Sequence, residues 1–279
     1  MKEFSKRTLT ALIYASIFIF SLYINEYVFA TLIGIIYLLC FYEYLILFNS
    51  KKNYYLIGGQ LIIGLLLFSI YYFNTVSIHI NYIEIVITCV VFLVNILLLL
   101  NKSNFLTTHF RKHLFGYIYT LFPFIIFLQL AYFKSIFNPN IIMGIVLLVW
   151  CNDSFSYIFG SIFGKHKLFK SISPKKTWEG SIGGGICTLL FATAIPFYLD
   201  NPFTNIDWWI IAFIIVVFGG YGDLIQSSMK RQQNTKDSSN LLPGHGGLLD
   251  RFDALIYSTP FIAFYLMFFK NLSFNNVWE

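Results

Sequence analysis

The chain has 279 residues, of which 57% are hydrophobic, 20% aromatic and only 11% charged, and its mean hydropathy is +0.69. This number of charged side chains is too small to cover the surface of a soluble globular domain of this length. The composition therefore excludes a soluble globular protein. The net charge of +6 does not indicate a nucleic-acid-binding protein, because the basic residues lie in short loops beside apolar stretches, where anionic lipid headgroups are the nearer partner.

The hydrophobic pattern predicts a protein that crosses a lipid bilayer many times. About 20 consecutive apolar residues span the hydrocarbon core as a helix. We therefore predict an all-α polytopic integral membrane protein with about nine transmembrane helices. They lie near residues 8–24, 27–48, 54–73, 80–100, 114–133, 141–163, 181–199, 207–225 and 254–270.

The distribution of basic residues predicts the orientation. Lysines and arginines such as Lys51, Lys102 and Lys230 fall in alternate loops, with Lys134 and Lys270 as exceptions. By the positive-inside rule the amino terminus and the alternate loops that carry these basic residues are cytoplasmic. We expect the chain in the plasma membrane. We interpret residues 1–133 as a scaffold and residues 134–279 as the part that carries the functional site.

Only a few ionisable residues interrupt the apolar spans. Glu43 lies about one turn from the cytoplasmic end of the second span, and we interpret it as a structural or interfacial residue. In the sixth span Asn152 and Asp153 lie at mid-depth. Because an unpaired buried carboxylate is costly, Asp153 should line a wet cavity or meet a cation, and both residues are candidates for substrate binding. The alternative is a protonated Asp153 bonded to a neighbouring helix.

A strongly cationic segment runs from Gly164 to Gly180. Ser173 followed by Pro174 is typical of a helix start, which would place Lys175 and Lys176 at a positively polarised helix end suited to phosphates. Ordinary anchoring of basic residues at the cytoplasmic surface is the alternative for the lysines. The glycines that open the seventh span should let a neighbouring helix approach closely; they are Gly180, Gly183, Gly184 and Gly185.

The most polar stretch of the chain is Ser227 to Asp253, which directly follows Asp223 at the end of the eighth span. Its basic residues suit phosphates and its carboxylates suit Mg²⁺, a mixture that favours phosphoryl-type chemistry. If the ninth span begins near Leu249, Asp250 and Asp253 share one face of a helix. The loop is long enough to fold back and bring Asp223 beside Asp250. The alternative is a solvated loop between two spans.

The order of residues in this stretch adds a resemblance. Two blocks resemble the signature of phosphatidate cytidylyltransferases, also called CDP-diacylglycerol synthases. The first block is Ser227-x-Met229-Lys230-Arg231, then Lys236-Asp237, then Pro243-x-His245-Gly246-Gly247-Leu248-x-Asp250-Arg251-Phe252-Asp253. The second is Phe159-Gly160 through Gly164-Lys165, followed by Ser173-Pro174-x-Lys176-Thr177-Trp178-x-Gly180.

The resemblance implies transfer of the cytidylyl group of CTP to phosphatidic acid, giving CDP-diacylglycerol and pyrophosphate, and it implies a homodimer. It also implies Mg²⁺ at Asp223 and Asp250; Asp253 is a third candidate ligand, and the number of cations, one or two, stays open. The other candidate catalytic residues are Lys230, Arg231 and Ser227. The candidates for substrate binding are Lys175, Lys176, Lys236, His245, Arg251, Asp153 and Asn152, with His245 either a phosphate donor or a turn residue.

Two other functions remain open at this point. One is a different CTP-using membrane enzyme, for example a polyprenol kinase. The other is an ion-coupled transporter, because Glu43, Asp153 and Asp223 lie within spans. The absence of an internal repeat in the sequence argues against the transporter, since such folds commonly contain one.

Overall fold

The computed structural model describes residues 2–48, 54–75, 82–100, 109–133, 136–170, 172–235, 238–239 and 246–270. Most of these residues are helical. The helices are α1 (Lys2–Ile24), α2 (Glu26–Phe48), α3 (Tyr54–Thr75), α4 (Tyr82–Leu100), α5 (His109–Leu130), α6 (Pro139–Phe163), α7 (Trp178–Ala192), α8 (Ile195–Tyr198), α9 (Asn205–Ile214), α10 (Gly220–Gln232) and α11 (Leu249–Phe269). A π-helical turn, Ile215–Gly219, joins α9 to α10.

The helices confirm the all-α class and identify an integral membrane protein. Within the described residues, five helical segments are long and apolar enough to cross a membrane: Glu26–Phe48, Pro139–Phe163, Trp178–Tyr198, Asn205–Gln232 and Leu249–Phe269. Shorter apolar stretches lie within α1, α3, α4 and α5: Thr10–Ile24, Tyr55–Ile70, Glu84–Leu100 and Leu114–Leu130. Each of the nine predicted stretches overlaps one of these segments, and nine crossings stay a prediction.

Two short antiparallel ribbons interrupt the helices. Strand β1 (Tyr132–Phe133) pairs with β2 (Ile136–Phe137), and β3 (Lys167–Phe169) pairs with β4 (Ser173–Thr177). The second ribbon, which we call the basic hairpin, connects α6 to α7.

The predicted helix start at Ser173 is therefore wrong. The residue before a proline favours extended backbone, and Ser173 begins strand β4 instead. Helix α7 begins at Trp178, and the Thr177 hydroxyl caps it by accepting a hydrogen bond from the Gly180 N–H at 3.2 Å. Lys175 and Lys176 consequently lie on a strand and not on the first turn of a helix.

The chain divides into two compact units. The first unit comprises Met1–Gln129 and Lys230–Phe252, and the second comprises Leu130–Met229 and Asp253–Glu279. Buried aromatic rings fill the core of the first unit, where Tyr37 stacks on Phe41 and on Phe68 with ring centroids 5.9 and 5.5 Å apart. Such rings bury large apolar areas and hold α2 against α3.

Close packing of α6 on α7 organises the second unit. A side chain at Gly184 would overlap the backbone of Ser156, and one at Gly183 would overlap the ring of Phe159. These contacts confirm the predicted close helix approach. Because α6 and α7 are held this tightly, the basic hairpin between them has both of its ends fixed.

Candidate functional site

In the second unit, glycines bring α10 close to the beginning of α11. A Cβ atom on Gly222 would lie 2.6 Å from the carbonyl oxygen of Asp253, and one on Gly219 would lie 3.3 Å from the Cβ atom of Ala254. Gly219 is the last residue of the π-helical turn, a feature that is frequent at functional sites, and Gly222 lies in the first turn of α10. Asp223, the residue after Gly222, therefore lies beside the first turns of α11.

Asp223 lies at the centre of a charged group of residues. The Lys176 ammonium pairs with Asp223 Oδ2 at 2.5 Å, and the Ser227 hydroxyl lies 3.2 Å from Asp223 Oδ1. The buried carboxyl of Asp253 interacts electrostatically with Asp223, with Asp153 and with Lys176. We call these five residues of the second unit, Asp153, Lys176, Asp223, Ser227 and Asp253, the Asp223 cluster.

The basic hairpin delivers one of its two candidate lysines to this cluster. Neighbouring residues of a strand point to opposite faces, so Lys175 and Lys176 cannot both reach Asp223. Lys175 is exposed, whereas Lys176 pairs with Asp223 and lies 3.5 Å from the Gly220 carbonyl oxygen. The extended backbone of β4 therefore separates two lysines that the sequence treats as equivalent.

The polar pair on α6 is split in the same way. Asn152 is buried, whereas Asp153 is exposed and its charge acts on Asp253. Sequence reasoning expects a wet or cation-rich environment for Asp153. A cavity shared by Asp153, Asp223 and Asp250 stays a prediction, because Asp250 belongs to the first unit.

A second group of charged residues surrounds Asp250 in the first unit. The Lys230 ammonium donates to Asp250 Oδ1 at 2.7 Å. The backbone N–H groups of Ser238 and Gly247 donate to Asp250 Oδ2 at 3.1 and 3.2 Å, and the Ser238 hydroxyl lies 3.2 Å from the same oxygen. The Lys230 and Asp250 side chains are only 11% and 10% exposed. These four residues form the Asp250 cluster.

The remaining predicted cations of this region differ in their surroundings. Arg231 and Arg251 are exposed, and Arg231 donates from Nη1 to the Thr235 carbonyl oxygen at 3.0 Å. Lys236 and His245 lie outside the described residues, and their predicted roles stay predictions.

Sequence reasoning missed the partners of Glu43. This residue of α2 is fully buried. Its carboxylate accepts hydrogen bonds from the hydroxyls of Ser238 and Ser239 and from the backbone N–H groups of Leu248 and Leu249. The available signal was an ionisable side chain at membrane depth, which usually faces a polar interior.

The described carboxylates have the ligand chemistry of a metal site but not its usual grouping. Across the described part of the chain, no three or more His, Cys, Asp and Glu side chains are grouped as they are around a bound metal ion. Asp223 and Asp253 nevertheless supply the oxygen ligands that Mg²⁺ prefers, and one or two carboxylates together with substrate phosphates are its usual protein site. The pair therefore fits a substrate-bound Mg²⁺.

An apolar groove of about 540 Å³ lies between α6 and α7 in the second unit. One end of it lies at the basic hairpin, where His166 Nδ1 contacts Glu179 Oε1 at 2.6 Å. The residues that line it are Phe159, Phe163, His166, Trp178, Glu179, Ile182, Gly183 and Ile186.

Comparison with known proteins gives one family and several named relatives. Residues 5–269 match a family model described as the cytidylyltransferase family. A Bacillus subtilis protein named phosphatidate cytidylyltransferase is 34% identical over 281 residues, which cover 97% of this chain and 100% of that protein.

Shorter matches join this chain to staphylococcal proteins of the same name. The protein of Staphylococcus haemolyticus is 44% identical and that of Staphylococcus saprophyticus 45% identical, each over 124 residues. Both matches cover 43% of this chain and 46% of the relative. The matched part thus spans about half the length of these relatives.

Proposed function

Because this chain belongs to the cytidylyltransferase family, we propose that it transfers the cytidylyl group of CTP to phosphatidic acid and forms CDP-diacylglycerol and pyrophosphate. The observation that carries the proposal is the alignment with the Bacillus subtilis phosphatidate cytidylyltransferase, which extends over almost all of both chains. The Asp223 cluster and the Asp250 cluster support it, because each contains carboxylate and ammonium groups and because Lys176, Asp253, Lys230 and Asp250 belong to the signature blocks.

The reaction makes modest demands on the protein's side chains. A phosphate oxygen of phosphatidic acid forms a bond to the α-phosphorus of CTP while the bond between the α- and β-phosphates breaks, and pyrophosphate leaves. The attacking oxygen is already an anion, so no general base is needed. Catalysis then depends on neutralising charge and holding the reactants in line.

The basic residues of the two clusters are suited to neutralising phosphate charge. Lys176 and Lys230 each have an ammonium held beside a carboxylate, and Arg231 is exposed. Ser227 can donate a hydrogen bond from beside Asp223. The proposed set of phosphate contacts also includes Lys175, Lys236, His245 and Arg251. Asn152 and Asp153 are proposed as polar residues of the substrate-binding site.

Asp223 and Asp253 are the proposed holders of Mg²⁺ in the second unit, and the family resemblance implies Asp250 as a ligand as well. When bound, Mg²⁺ would offset the negative charge of the CTP phosphates. The carboxylates would fix the cation, while Lys176 would balance the charge that remains on the cluster.

Activity is therefore expected to disappear when excess chelator is added and to return when Mg²⁺ is restored. The measurement is the rate of pyrophosphate release by the purified protein, with Ca²⁺ as a control cation of the same charge and larger size. Full activity in excess chelator would rule out the proposed metal role.

The membrane arrangement extends the proposal. We place the protein in the plasma membrane with about nine crossings, with its amino terminus and both clusters on the cytoplasmic side, and as a homodimer. The alternating basic loops of the sequence support the orientation. The family resemblance supports the homodimer, and the small number of polar residues in the first five spans supports the division into scaffold residues 1–133 and site residues 134–279.

The proposed function is tested by measuring pyrophosphate release from CTP in detergent micelles with and without phosphatidic acid. We expect release that requires the lipid and that CTP supports much better than UTP. Diacylglycerol, which lacks the phosphate nucleophile, is the matched control lipid and should support no release. Equal release with and without phosphatidic acid would contradict the proposal.

A further inference from the structure

Glu43 has an unusually complete set of hydrogen-bond donors for a carboxylate inside an apolar helix. Its Oε1 accepts from the Ser239 hydroxyl at 2.6 Å and from the Leu248 N–H at 2.8 Å. Its Oε2 accepts from the Ser238 hydroxyl at 2.8 Å and from the Leu249 N–H at 2.9 Å. Each oxygen is thus paired twice, and the buried residue leaves no surface for a substrate.

Two of these donors belong to the beginning of α11. The first N–H groups of a helix have no partner within the helix, and Leu248, the residue before α11, has no side-chain acceptor with which to cap it. Glu43 supplies the missing acceptor from α2, and its negative charge also interacts favourably with the positive end of the helix dipole. Glu43 therefore caps the helix that carries Asp250, although it lies 206 residues before Leu249 in the chain.

The other donors connect Glu43 to the carboxylate of Asp250. The Ser238 hydroxyl lies 2.8 Å from Glu43 Oε2 and 3.2 Å from Asp250 Oδ2. The backbone of Ser238 donates to Asp250 as well. One serine thus contacts both acids, so displacement of Glu43 would disturb the donors that orient Asp250.

The two glycines of the signature make this arrangement possible. Gly246 has a φ of 83°, a conformation that side chains disfavour. A Cβ atom on Gly247 would overlap the Ser238 hydroxyl and the Glu43 carboxylate. Glu43 therefore occupies space that only a glycine at position 247 leaves open. We call Ser238, Ser239 and Gly246–Leu249 the anchored segment.

We propose that Glu43 is a positioning residue for cytidylyl transfer. It holds the anchored segment and the first turn of α11 so that Asp250 and Lys230 keep their orientation, and it does not touch the substrate. The proposal rests on the proposed function, but the anchoring itself can be measured without any substrate.

The kinetic consequence follows from the fraction of molecules with an ordered segment. In Glu43→Gln an amide NH₂ replaces one carboxylate oxygen and faces two donors, so the ordered arrangement is populated less. Binding energy from CTP can restore the ordered arrangement. The apparent affinity for CTP therefore falls in proportion to the fraction of molecules that are ordered, while kcat changes little. We expect the KM for CTP to rise about 10-fold and kcat to fall less than about 3-fold.

The test uses the full chain in detergent micelles. Hydrogen exchange of peptides that contain Leu248 and Leu249 reports the anchoring, and steady-state pyrophosphate release reports kcat and KM. Ser239→Ala, which removes one donor, is the milder second variant and decides the question if Glu43→Gln does not fold. Glu84→Gln, the same change in α4 of the same unit, is the control and should match the wild type in both measurements.

We expect faster exchange at Leu248 and Leu249 in both variants, with the larger change in Glu43→Gln, together with the rise in KM. Unchanged exchange overturns the anchoring. Faster exchange with wild-type KM and kcat, or a fall in kcat at unchanged KM, overturns the positioning role. If the wild-type protein itself releases no pyrophosphate with phosphatidic acid, the proposed function fails, and the exchange data alone decide whether Glu43 anchors the segment.

Discussion

The Asp223→Asn variant is expected to lose cytidylyl transfer by about 100-fold or more, which corresponds to about 2.7 kcal/mol of transition-state stabilisation. The amide removes the negative charge that pairs with Lys176 and that is proposed to hold Mg²⁺ with Asp253. The measurement is pyrophosphate release at saturating CTP, phosphatidic acid and Mg²⁺.

The matched control for this variant is Asp200→Asn. Asp200 is an exposed acid of the same unit, so the same chemical change there should leave the rate within about 2-fold of the wild type. If Asp223→Asn kept more than about a third of the wild-type rate, the Asp223 cluster would not be the metal site.

The Lys230→Met variant is expected to lose about 3–5 kcal/mol of unfolding free energy, because it leaves the largely buried carboxylate of Asp250 without its cation. Methionine has a similar length and fills the same space, so the charge is the main change. The free energy is measured by reversible unfolding in mixed detergent micelles, followed by circular dichroism.

Two controls isolate the charge effect in that measurement. The double variant Lys230→Met with Asp250→Asn removes both charges and should recover part of the loss. Lys175→Met removes an exposed lysine and should change stability by less than about 0.5 kcal/mol. Wild-type stability in Lys230→Met would show that the ion pair with Asp250 does not hold the first unit together.

The helical part of the fold could be predicted from the sequence because membrane helices are defined by the length of apolar runs. Helix α11 begins at Leu249, five residues before the predicted span 254–270, because its first turn lies in the polar stretch outside the apolar run. The strands could not be predicted from the length of apolar runs, since β4 is only five residues long and is defined by its pairing with β3 across a turn. Ser173 and Pro174 are compatible with either a helix start or a strand.

The residue types of the candidate site were also predictable, but their pairing was not. The signature identifies Lys230 and Asp250, yet nothing in its spacing indicates that these two side chains pair with each other. Glu43 is a sharper case, because its donors lie 195 to 206 residues away. Such contacts depend on how helices pack, and the sequence around Glu43 shows only an isolated acid in an apolar run.

The most direct test of the central claim is to follow which phosphate of CTP reaches the lipid. Purified protein is incubated with phosphatidic acid, Mg²⁺ and CTP labelled with radioactive phosphorus at either the α- or the γ-phosphate, and the lipid phase is then extracted. Cytidylyl transfer predicts that the α-label enters the lipid phase and that the γ-label leaves as pyrophosphate in water. Lipid that carried the γ-label, as a kinase would produce, or that carried no label from the α-phosphate, would contradict the proposed reaction.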